Sequence, residues 1–419
     1  MHTLQQLLSG ELQGIKELKI SENLTAFPME ILNLAESLEI LDLSNNQLCE
    51  IPQEINRLKN LKIAFFSNNN FTKVPSAFRE CENLTMLGFK ANKIEEFDED
   101  ILPLGISWLI LTDNKLKKLP DSIGKLTKLQ KFPLAGNELT ELPQTMKECK
   151  NLELIRLSAN KLQELPSWLL QLPKLSWLAF SGNPCSVSPK IVHKEISYKD
   201  LQIGELLGSG ASGEIFKGSC EELQQNVAIK LFKGAITSDG YAEDEMNACL
   251  SMGEHPNLIK VLAKIKEPER LGLLLECIPT SYSNLGNPPN FETCTRDTYE
   301  ESQIFTLETI NAVAKSIASV AAHLHEKNLM HGDLYAHNIL INEESVCYLG
   351  DFGAASFYDA NNNSYEKIEV RAFGCLLDDM LSRSPIKENE LYNSLKNLRE
   401  RCLNEDVQSR PLFSQMKFK

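Results

Sequence analysis

The first half of the chain repeats one arrangement of apolar and polar positions with a period of 23 residues, shortened once to 22. Apolar residues stand in the order Leu-x-x-Leu-x-Leu, an asparagine follows three residues later, and an apolar-proline pair closes the unit. The asparagines occupy positions 23, 46, 69, 92, 114, 137, 160 and 183. A Leu-x-Leu step predicts a short strand whose apolar side chains point inward. Since no unit can bury its apolar side alone, the pattern predicts a stacked array.

The other recurring positions predict how this array is closed and filled. Each asparagine turns the chain, and its side-chain amide can bond backbone groups that the bend leaves unpaired. Cys81 and Cys149 stand where other repeats carry leucine, so they are predicted to fill the core. Segment 4–12, before the irregular first repeat, is predicted to cap the array. Frame and period resemble the short form of the leucine-rich repeat family.

The residues between the inward leucines predict a binding surface. In the horseshoe that the resemblance implies, they face the concave side and form a mostly apolar stripe with two tryptophans. Such a stripe is typical of a site for a protein partner. The residues predicted to contact the partner are Ile40, Ile63, Phe65, Met86, Trp108, Leu154, Arg156 and Trp177. The alternative is that these side chains pack against each other or against the second domain of the chain.

After Asn183 the periodicity stops, and Pro184, Ser186, Ser188 and Pro189 predict an irregular connection. We therefore assign residues 1–185 to a repeat domain of eight repeats, 186–197 to a linker and 198–419 to a second domain. Because the linker is short, the second domain is expected close to the last repeats.

The second domain opens with a glycine-rich segment, in which Gly208, Gly210 and Gly213 precede Ile215. Glycines let the backbone approach phosphates and offer its N–H groups, although small hairpin turns often show the same spacing. The next strand ends in Lys230, which favours a nucleotide loop. A helical stretch follows, and Glu245 is predicted to pair with Lys230, with Glu243 as the second choice. Residues 273–278 predict a buried strand leading into a hinge, where backbone groups can bind adenine.

Two later clusters suit phosphoryl transfer from ATP. Asp333 stands five residues before Asn338, and Asp351 opens an Asp-Phe-Gly turn. One aspartate can accept the proton of an attacking hydroxyl, while the asparagine and the other aspartate can hold Mg²⁺ across the phosphates.

These elements occur in the order found in the protein kinase family, which residues 198–419 resemble. The whole chain resembles a leucine-rich-repeat protein kinase. The resemblance implies an α/β and α+β fold, with a repeat solenoid followed by a two-lobed kinase-like domain that uses ATP and Mg²⁺. It implies that Lys230, Glu245 and Asp333 are catalytic and that Asn338 and Asp351 bind the metal. The predicted nucleotide contacts are Leu207, Gly208, Ser209, Gly210, Ala211, Ser212, Gly213, Ile215, Ala228, Lys230, Glu276 and Ile278.

The second domain also departs from the family pattern. Gly332 stands where most protein kinases carry the arginine that grips a phosphorylated activation loop. The segment after Asp351 is short and lacks the Ala-Pro-Glu motif, so Arg410 is expected to lack its usual carboxylate partner. The platform for a peptide substrate is therefore expected to be reduced. Tyr335 replaces the lysine of Ser/Thr kinases, and His337 lies where some tyrosine kinases have arginine.

Charge and cysteine content limit the possible partners and the cellular compartment of the protein. Residues 1–190 carry 21 Lys and Arg against 23 Asp and Glu, and residues 191–419 carry 22 against 34. The acidic second half argues against nucleic acid or an anionic membrane as the main partner. The apolar runs are too short to span a bilayer, and no secretory signal is recognised. Eleven cysteines without a Cys-x-x-Cys pair predict free thiols in a reducing cytoplasm.

Three functions fit these features. The leading hypothesis is a Ser/Thr protein kinase that its repeats recruit to a protein partner or substrate. The second is a scaffold with an inactive kinase fold, and the third is a kinase for a small-molecule hydroxyl. The His-Gly-Asp loop supports the third, because aminoglycoside phosphotransferases carry a similar loop. The sequence leaves the oligomeric state open.

Overall fold

The computed structural model describes residues 1–189, 191–210, 212–233, 236–237, 239–267 and 270–418. The chain divides into two compact units, Met1–Leu172 and Pro173–Lys419. The eighth repeat, taken as residues 173–186, therefore belongs to the second unit. The predicted linker lies inside this unit as well, and part of it, Glu195–Ser197, is a strand.

The first unit is a ladder of short parallel strands behind a capping helix. The helix α1 spans Leu4–Ser9, and Thr3 accepts a hydrogen bond from the Gln6 backbone N–H in a capping box. The strands are β1 Glu17–Lys19, β2 Ile40–Asp42, β3 Ile63–Phe65, β4 Met86–Gly88, β5 Trp108–Ile110, β6 Lys131–Pro133 and β7 Leu154–Arg156. Each strand pairs with the next in parallel. The expected strands are confirmed, and a helix lies where the sequence pattern predicted the cap.

Between strands the chain returns through short 3₁₀ turns. Five of these turns are Met29–Leu34, Gln53–Arg57, Ser76–Glu80, Asp121–Lys125 and Gln144–Glu148, and a proline precedes each of the five, at positions 28, 52, 75, 120 and 143. A sixth turn, Leu169–Gln171, follows Trp168. Since proline holds φ near −65° and lacks an N–H, it starts a turn without losing a ladder bond. The apolar-proline pair of the sequence frame therefore marks where each of the first five turns begins.

The repeating asparagines form the predicted hydrogen-bond ladder. The Asn137 amide donates to the carbonyls of Leu111 and Leu134 at 2.8 and 3.0 Å, and its oxygen accepts from the Leu116 N–H at 3.0 Å. Asn69, three repeats earlier, makes the corresponding bonds. Each such side chain therefore ties neighbouring repeats together through buried backbone groups.

The core of the first unit is apolar throughout its length. Phe66 and Phe89 stack with ring centroids 5.3 Å apart, and Phe71 meets Phe89 edge-on at 5.1 Å. Cys81 and Cys149 are buried, as predicted, and burial raises their thiol pKa values to about 11 and about 12. Their thiols are therefore core fillers.

The second unit contains a sheet lobe and a helical lobe. Its strands are β8 Trp177–Ala179, β9 Glu195–Ser197, β10 Leu201–Ser209, β11 Gly213–Cys220, β12 Gln225–Phe232, β13 Val261–Lys266, β14 Gly272–Glu276, β15 Ser283–Asn284, β16 Leu329–Met330, β17 Ile339–Ile341, β18 Cys347–Leu349 and β19 Ser356–Phe357. The sheet lobe has the order β10-β11-β12-β14-β13-β9 and is antiparallel except for the last pair. Helix α2, Ala242–Ser251, belongs to this lobe.

Three longer helices build the other lobe: α3 Leu307–His325, α4 Ser364–Ser382 and α5 Glu390–Cys402. Thr306 accepts a hydrogen bond from the Thr309 N–H and so begins α3. Two small ladders complete this unit: β16 pairs with β19, and β17 pairs with β15 and β18. The loop that contains Asp333 connects β16 to β17, and the Asp-Phe-Gly turn connects β18 to β19. The predicted fold class is confirmed: a parallel repeat sheet, then a mixed sheet followed by helices.

Candidate active site

The sheet lobe brings four predicted or neighbouring positions into one row across its strands. Gly208 on β10 pairs with Ile215 on β11, Ile215 pairs with Lys230 on β12, and Lys230 pairs with Leu273 on β14. Residues paired across a sheet share a face, so the glycine segment, Ile215 and the lysine border the same cleft.

The glycine segment is the hairpin between β10 and β11. Gly210 donates its N–H to the Gly213 carbonyl at 2.9 Å, and this bond closes the turn. A Cβ at Gly208 or Gly210 would meet no atom within 4 Å, so both backbones lie open to a ligand. Ser209 accepts a hydrogen bond from the Lys233 ammonium at 2.9 Å. The other predicted residues of the segment are Leu207, which is exposed, and Ser212, which is half-buried, while Ala211 lies outside the described residues.

Lys230 and Glu245 form a buried ion pair between β12 and α2. Only 2% of the Glu245 side chain is exposed. Burial opposes the charge on Lys230, but the carboxylates of Glu245 and Asp351 outweigh it and raise the pKa of the ammonium. Lys230 is therefore held as a cation that faces the Asp-Phe-Gly turn. Glu245, not the exposed Glu243, is the partner that the sequence pattern favoured.

The hinge residues lie at the end of the central strands. Ala228 is buried on β12 and pairs with Leu275. Glu276 ends β14, where its carboxylate accepts a bond from the Lys260 N–H at 2.6 Å. Ile278 follows as a half-buried residue outside the strand. These positions leave the backbone after β14 next to the row that contains Lys230.

In the loop before β17, Asp333 and Asn338 face each other. The Asn338 amide donates to the carbonyl and to a carboxylate oxygen of Asp333, both at 2.9 Å. The buried His331 accepts a bond from the Asp333 N–H at 3.2 Å, and its other ring nitrogen lies 2.9 Å from the Gly350 carbonyl. Imidazole therefore links the two clusters that the sequence suggested for phosphoryl transfer.

Asp351 follows Gly350 with a left-handed backbone, at φ 52°. Phe352 is buried and its ring meets His331 edge-on at 4.9 Å, so the turn is packed with the Asp351 carboxylate exposed. Asn338 uses its amide N–H on Asp333, which leaves the amide oxygen for a cation. A carboxylate and an amide oxygen are donors that suit Mg²⁺ shared with phosphates. The two predicted metal ligands therefore fit that ion in chemistry.

Glu369 on α4 also supports this loop, although the sequence reasoning missed it. It is fully buried and accepts bonds from the Gly332 and His331 N–H groups at 2.7 and 3.3 Å. Its oxygen also lies 2.8 Å from a His325 ring nitrogen. Burial opposes its ionisation, but His325 and these donors keep the pKa of Glu369 below its usual value. A glutamate inside an otherwise apolar helix face was the signal available in the sequence.

Asp297 holds the other end of the same loop. Its carboxylate accepts a bond from the Ala336 N–H at 2.5 Å and lies 2.6 Å from His337 Nδ1. Burial opposes the charged imidazole, but Asp297 and the nearby Asp333 raise the pKa of His337. Asp297 lies in an irregular stretch before α3, where no sequence pattern marked it.

The predicted partner residues have different surroundings. Ile40, Phe65 and Trp108 are half-buried, whereas Ile63, Met86, Leu154 and Arg156 are buried. Lys131 lies over the Trp108 ring, 4.1 Å from its centroid. Trp177 is only 2% exposed, and its indole stacks on Tyr335 at 4.4 Å. For Trp177 the alternative of packing against the second domain therefore describes the structure, and a partner contact does not.

Comparison with protein families agrees with this architecture. Residues 201–374 match the family model described as protein kinase domain. Segments 36–94, 105–162 and 128–184 match the model described as leucine-rich repeat. The chain carries a leucine-rich repeat region followed by a protein kinase domain.

Curated relatives resemble part of the chain. A serine/threonine-protein kinase of Arabidopsis thaliana, STY46, is 28% identical over 163 residues, which are 38% of this chain and 26% of that protein. The putative L-type lectin-domain containing receptor kinase V.8 of the same plant is 26% identical over 199 residues, or 46% and 30%. The membrane-associated tyrosine- and threonine-specific cdc2-inhibitory kinase wee-1.3 of Caenorhabditis elegans is 25% identical over 226 residues, or 53% and 31%. The chain thus spans under a third of each relative.

The helices of the protein are short or carry charged residues. Within the described part of the chain, none combines the length and apolar character needed to cross a bilayer.

Proposed function

We propose that the protein transfers the γ-phosphoryl group of ATP to serine or threonine hydroxyls of a protein substrate. The observation that carries the proposal is the buried Lys230–Glu245 pair beside Asp351, together with the Asp333–Asn338 contact. In phosphoryl transfer most of the catalysis comes from positioning and charge neutralisation, and these residues supply both.

Each residue has a defined part in this reaction. Lys230, held by Glu245, orients the nucleotide phosphates, and the open backbone at Gly208 and Gly210 covers them. Asn338 and Asp351 would hold Mg²⁺, which supplies positive charge to the phosphates when bound. Asp333 orients the acceptor hydroxyl and takes its proton as the new P–O bond forms and the bond to the leaving diphosphate breaks.

Serine and threonine are the favoured acceptors. Only residues 358–363 separate β19 from α4, which leaves little chain to bind the ring of a tyrosine substrate. The similarity to a serine/threonine-protein kinase supports the same choice. Because the relative wee-1.3 is named as tyrosine- and threonine-specific, the experiment also measures phosphotyrosine.

The repeats are proposed to recruit a protein partner or substrate, as leucine-rich repeats usually do. The surface that remains for it in the first unit is the half-buried stripe of Ile40, Phe65 and Trp108. All eleven cysteines are free thiols, which supports a reducing compartment such as the cytoplasm. Capture of a cell-lysate partner by the wild type but not by a Phe65→Ser/Trp108→Ser variant of equal thermal stability would support recruitment.

The function is tested by incubating the purified protein with Mg-ATP and locating new phosphates by mass spectrometry. Asp333→Asn is the inactive variant, and Asp359→Asn, at an exposed aspartate nearby, is the matched control. We expect phosphoserine or phosphothreonine with the wild type and the control only. ATP binding without any product in all three proteins would favour the scaffold hypothesis and contradict the proposal.

A small-molecule hydroxyl is the second candidate acceptor. The short segment 358–363 and Gly332 favour it, because both reduce the surface on which a kinase binds a peptide. A screen of free hydroxyl acceptors for ATP consumption, with peptides in parallel, distinguishes the two. Turnover with a free acceptor and none with peptides would replace the proposed substrate class.

A further inference from the structure

The eighth repeat, residues 173–186, packs onto the loop that contains Asp333. The Trp177 indole stacks on Tyr335 nearly face to face, at 5°, and its N–H donates to the Leu334 carbonyl at 3.2 Å. Leu334 follows Asp333 directly. A rigid aromatic side chain that is almost fully buried thus contacts the residue next to the predicted base.

The same repeat bonds the segment that follows the Asp-Phe-Gly turn. The Phe180 N–H donates to the Ser356 hydroxyl at 2.9 Å, and the Ser186 hydroxyl donates to the Phe357 carbonyl at 2.9 Å. Strand β19, which contains both acceptors, is therefore held by the repeat at two points.

Gly332 lies in close contact with both the eighth repeat and the residues after the Asp-Phe-Gly turn. Its backbone is left-handed, at φ 75°, and a Cβ there would lie 2.6 Å from the carbonyl oxygens of both Leu178 and Ala354. Any side chain, including the arginine found there in most protein kinases, would have to displace β8 or the activation segment, which runs from the Asp-Phe-Gly turn into the start of α4. The eighth repeat can therefore pack this closely only because position 332 has no side chain.

Helix α2 also meets the eighth repeat. A Cβ at Gly182 would lie 2.7 Å from a carboxylate oxygen of Asp244 and from the Tyr241 ring. Asp244 directly precedes Glu245, the partner of Lys230. Contact at this end of the helix bears on the position of the ion pair.

The far side of the repeat is tied to the helical lobe. Arg410 donates to the Pro173 carbonyl at 2.7 Å and also to the Asn404 and Lys367 carbonyls at 2.8 and 3.1 Å. Arg371 on α4 donates to the Lys174 carbonyl at 3.1 Å. Backbone oxygens of the repeat therefore take part in satisfying the arginine that usually binds a carboxylate.

The hydroxyls of the activation segment are already engaged. Ser356 is fully buried, and the Tyr358 hydroxyl lies 2.7 Å from a His325 ring nitrogen. Ser364 and Tyr365 are also buried, and Tyr365 stacks on Phe180 at 5.3 Å. A protein kinase that phosphorylates this segment would have to expose these side chains first.

We infer that the eighth repeat replaces the phosphorylated activation loop as the support of the catalytic loop, and that Trp177 is a positioning residue for Asp333. The repeat joins α2, the catalytic loop, the activation segment and the helical lobe through permanent contacts. The kinase therefore needs no phosphate on its activation segment to reach its ordered state. This inference rests on the proposed kinase activity only for its kinetic part.

The test compares Trp177→Ala with Trp168→Ala in the full chain. Trp168 lies nine residues earlier, is half-buried and belongs to the first unit, so it is the matched control for the loss of an indole. We expect Trp177→Ala to lower kcat by about 10²-fold, because a displaced catalytic group costs that much. The KM for ATP should stay within roughly twofold, since the predicted contacts to the nucleotide itself lie in the sheet lobe. Trp177→Phe, which keeps a stacked ring and loses the N–H donor, should recover part of kcat.

Two further measurements decide the inference. Amide hydrogen exchange should rise at residues 331–337 and 354–357 in Trp177→Ala and stay at the wild-type level in Trp168→Ala, whether or not turnover is detected. Phosphatase treatment of the wild type should leave its rate unchanged. Equal exchange in the two variants, or a rate abolished by phosphatase, would overturn the inference. A wild type without turnover but with the expected exchange pattern would reject the proposed function and keep the structural role of the repeat.

Discussion

The strand of the eighth repeat and the strands of the first unit share one sequence frame but have different neighbours. In β2, β5 and β6 the two outward residues are half-buried around a buried central residue, whereas β4 and β7 are buried at all three positions. In β8 the corresponding Trp177 and Ala179 are as buried as Leu178 between them. The inward leucines pack into the repeat core in both strands. In β8 the outward Trp177 packs against Tyr335 of the kinase domain.

This difference shows how a repeat can acquire a second function without losing its fold. Stacking depends on the inward positions and the asparagine, so the outward positions are free to change. In β8 they provide a flat indole and one small residue, Ala179, which suit close packing on another backbone. A single repeat can therefore serve as the last unit of an array and as a component of a catalytic unit.

The comparison has functional meaning only if the site beside Trp177 transfers phosphate. Lys230→Met should lower the rate by about 10³-fold or more, because it removes the cation that pairs with the phosphates. Lys217→Met, on the neighbouring strand β11 and exposed, is the control and should keep the wild-type rate. The check is the initial rate of ATP-dependent phosphorylation. Activity that survives in Lys230→Met would move the reaction away from this cleft.

Gly332→Ala tests whether β8 leaves room for a side chain. The added methyl group meets two carbonyl oxygens at a left-handed backbone, so we expect a loss of about 3 kcal/mol in the free energy of unfolding of the second unit. Urea unfolding followed by Trp177 fluorescence, in a Trp108→Phe/Trp168→Phe background, measures it.

Gly10→Ala is the matched control for that change. Gly10 has a similar φ, 78°, and open space around its Cβ position, so the variant isolates the backbone strain from the steric clash. It should cost about 1 kcal/mol in the first unit. Equal losses at the two glycines would mean that β8 does not restrict position 332.

Asn137→Ala tests the first unit by itself. It leaves the Leu116 N–H and the Leu111 carbonyl buried without their partner, so the free energy of unfolding should fall by about 2 kcal/mol. Asn60→Ala, which removes one exposed bond to the Glu36 carbonyl, should change it by less than about 0.5 kcal/mol. Urea unfolding followed by circular dichroism compares them. Kinase activity should be unaffected by the Asn60 change.

Asp244→Asn sharpens the comparison at the contact between α2 and Gly182. Burial raises the pKa of Asp244 to about 6 from 3.8, so the folded protein binds this proton more tightly than the unfolded chain. The ionised carboxylate destabilises the fold fully above pH 6, and the penalty disappears as the pH falls below 3.8. Because Asp244 is half-buried and solvent screens part of this penalty, the variant should gain about 1 kcal/mol at pH 7, and the gain should shrink between pH 6 and 4.

Glu243→Gln, which removes only the smaller, coulombic contribution to the raised pKa of Asp244, is the control for Asp244→Asn and should show a weaker dependence on pH. Thermal unfolding across the range is sufficient. A gain that stays constant from pH 7 to pH 4 would show that the titration of Asp244 is not its cause.

Most of the fold was predictable because its determinants are local and repeat. The period of the asparagines predicted the strands and the ladder bonds, since each repeat meets the same neighbours as the last. The order of the glycine segment, Lys230, Asp333 and Asp351 predicted the two-lobed domain. The sequence frame could not tell that the eighth repeat belongs to the second unit, because its inward positions are identical in kind to the others.

The candidate site was predictable where a motif names its residues. Glu245 was chosen over Glu243 by spacing, and the structure contains that pair. Asp297, Glu369 and Trp177 were not assigned to the site, because each acts on the catalytic loop from a distant part of the chain. Their contacts depend on tertiary packing, which leaves no periodic mark in the sequence.

The hydrogen bond from Arg410 to the Pro173 carbonyl joins residues 237 positions apart. A ribosome that adds about 5–20 residues per second needs on the order of 10–50 seconds to pass from one to the other. During that time the array of the first unit can complete itself, while the outward face of β8 has no covering. Translation therefore exposes Trp177 as a temporary apolar surface, to which molecular chaperones can bind on the nascent chain.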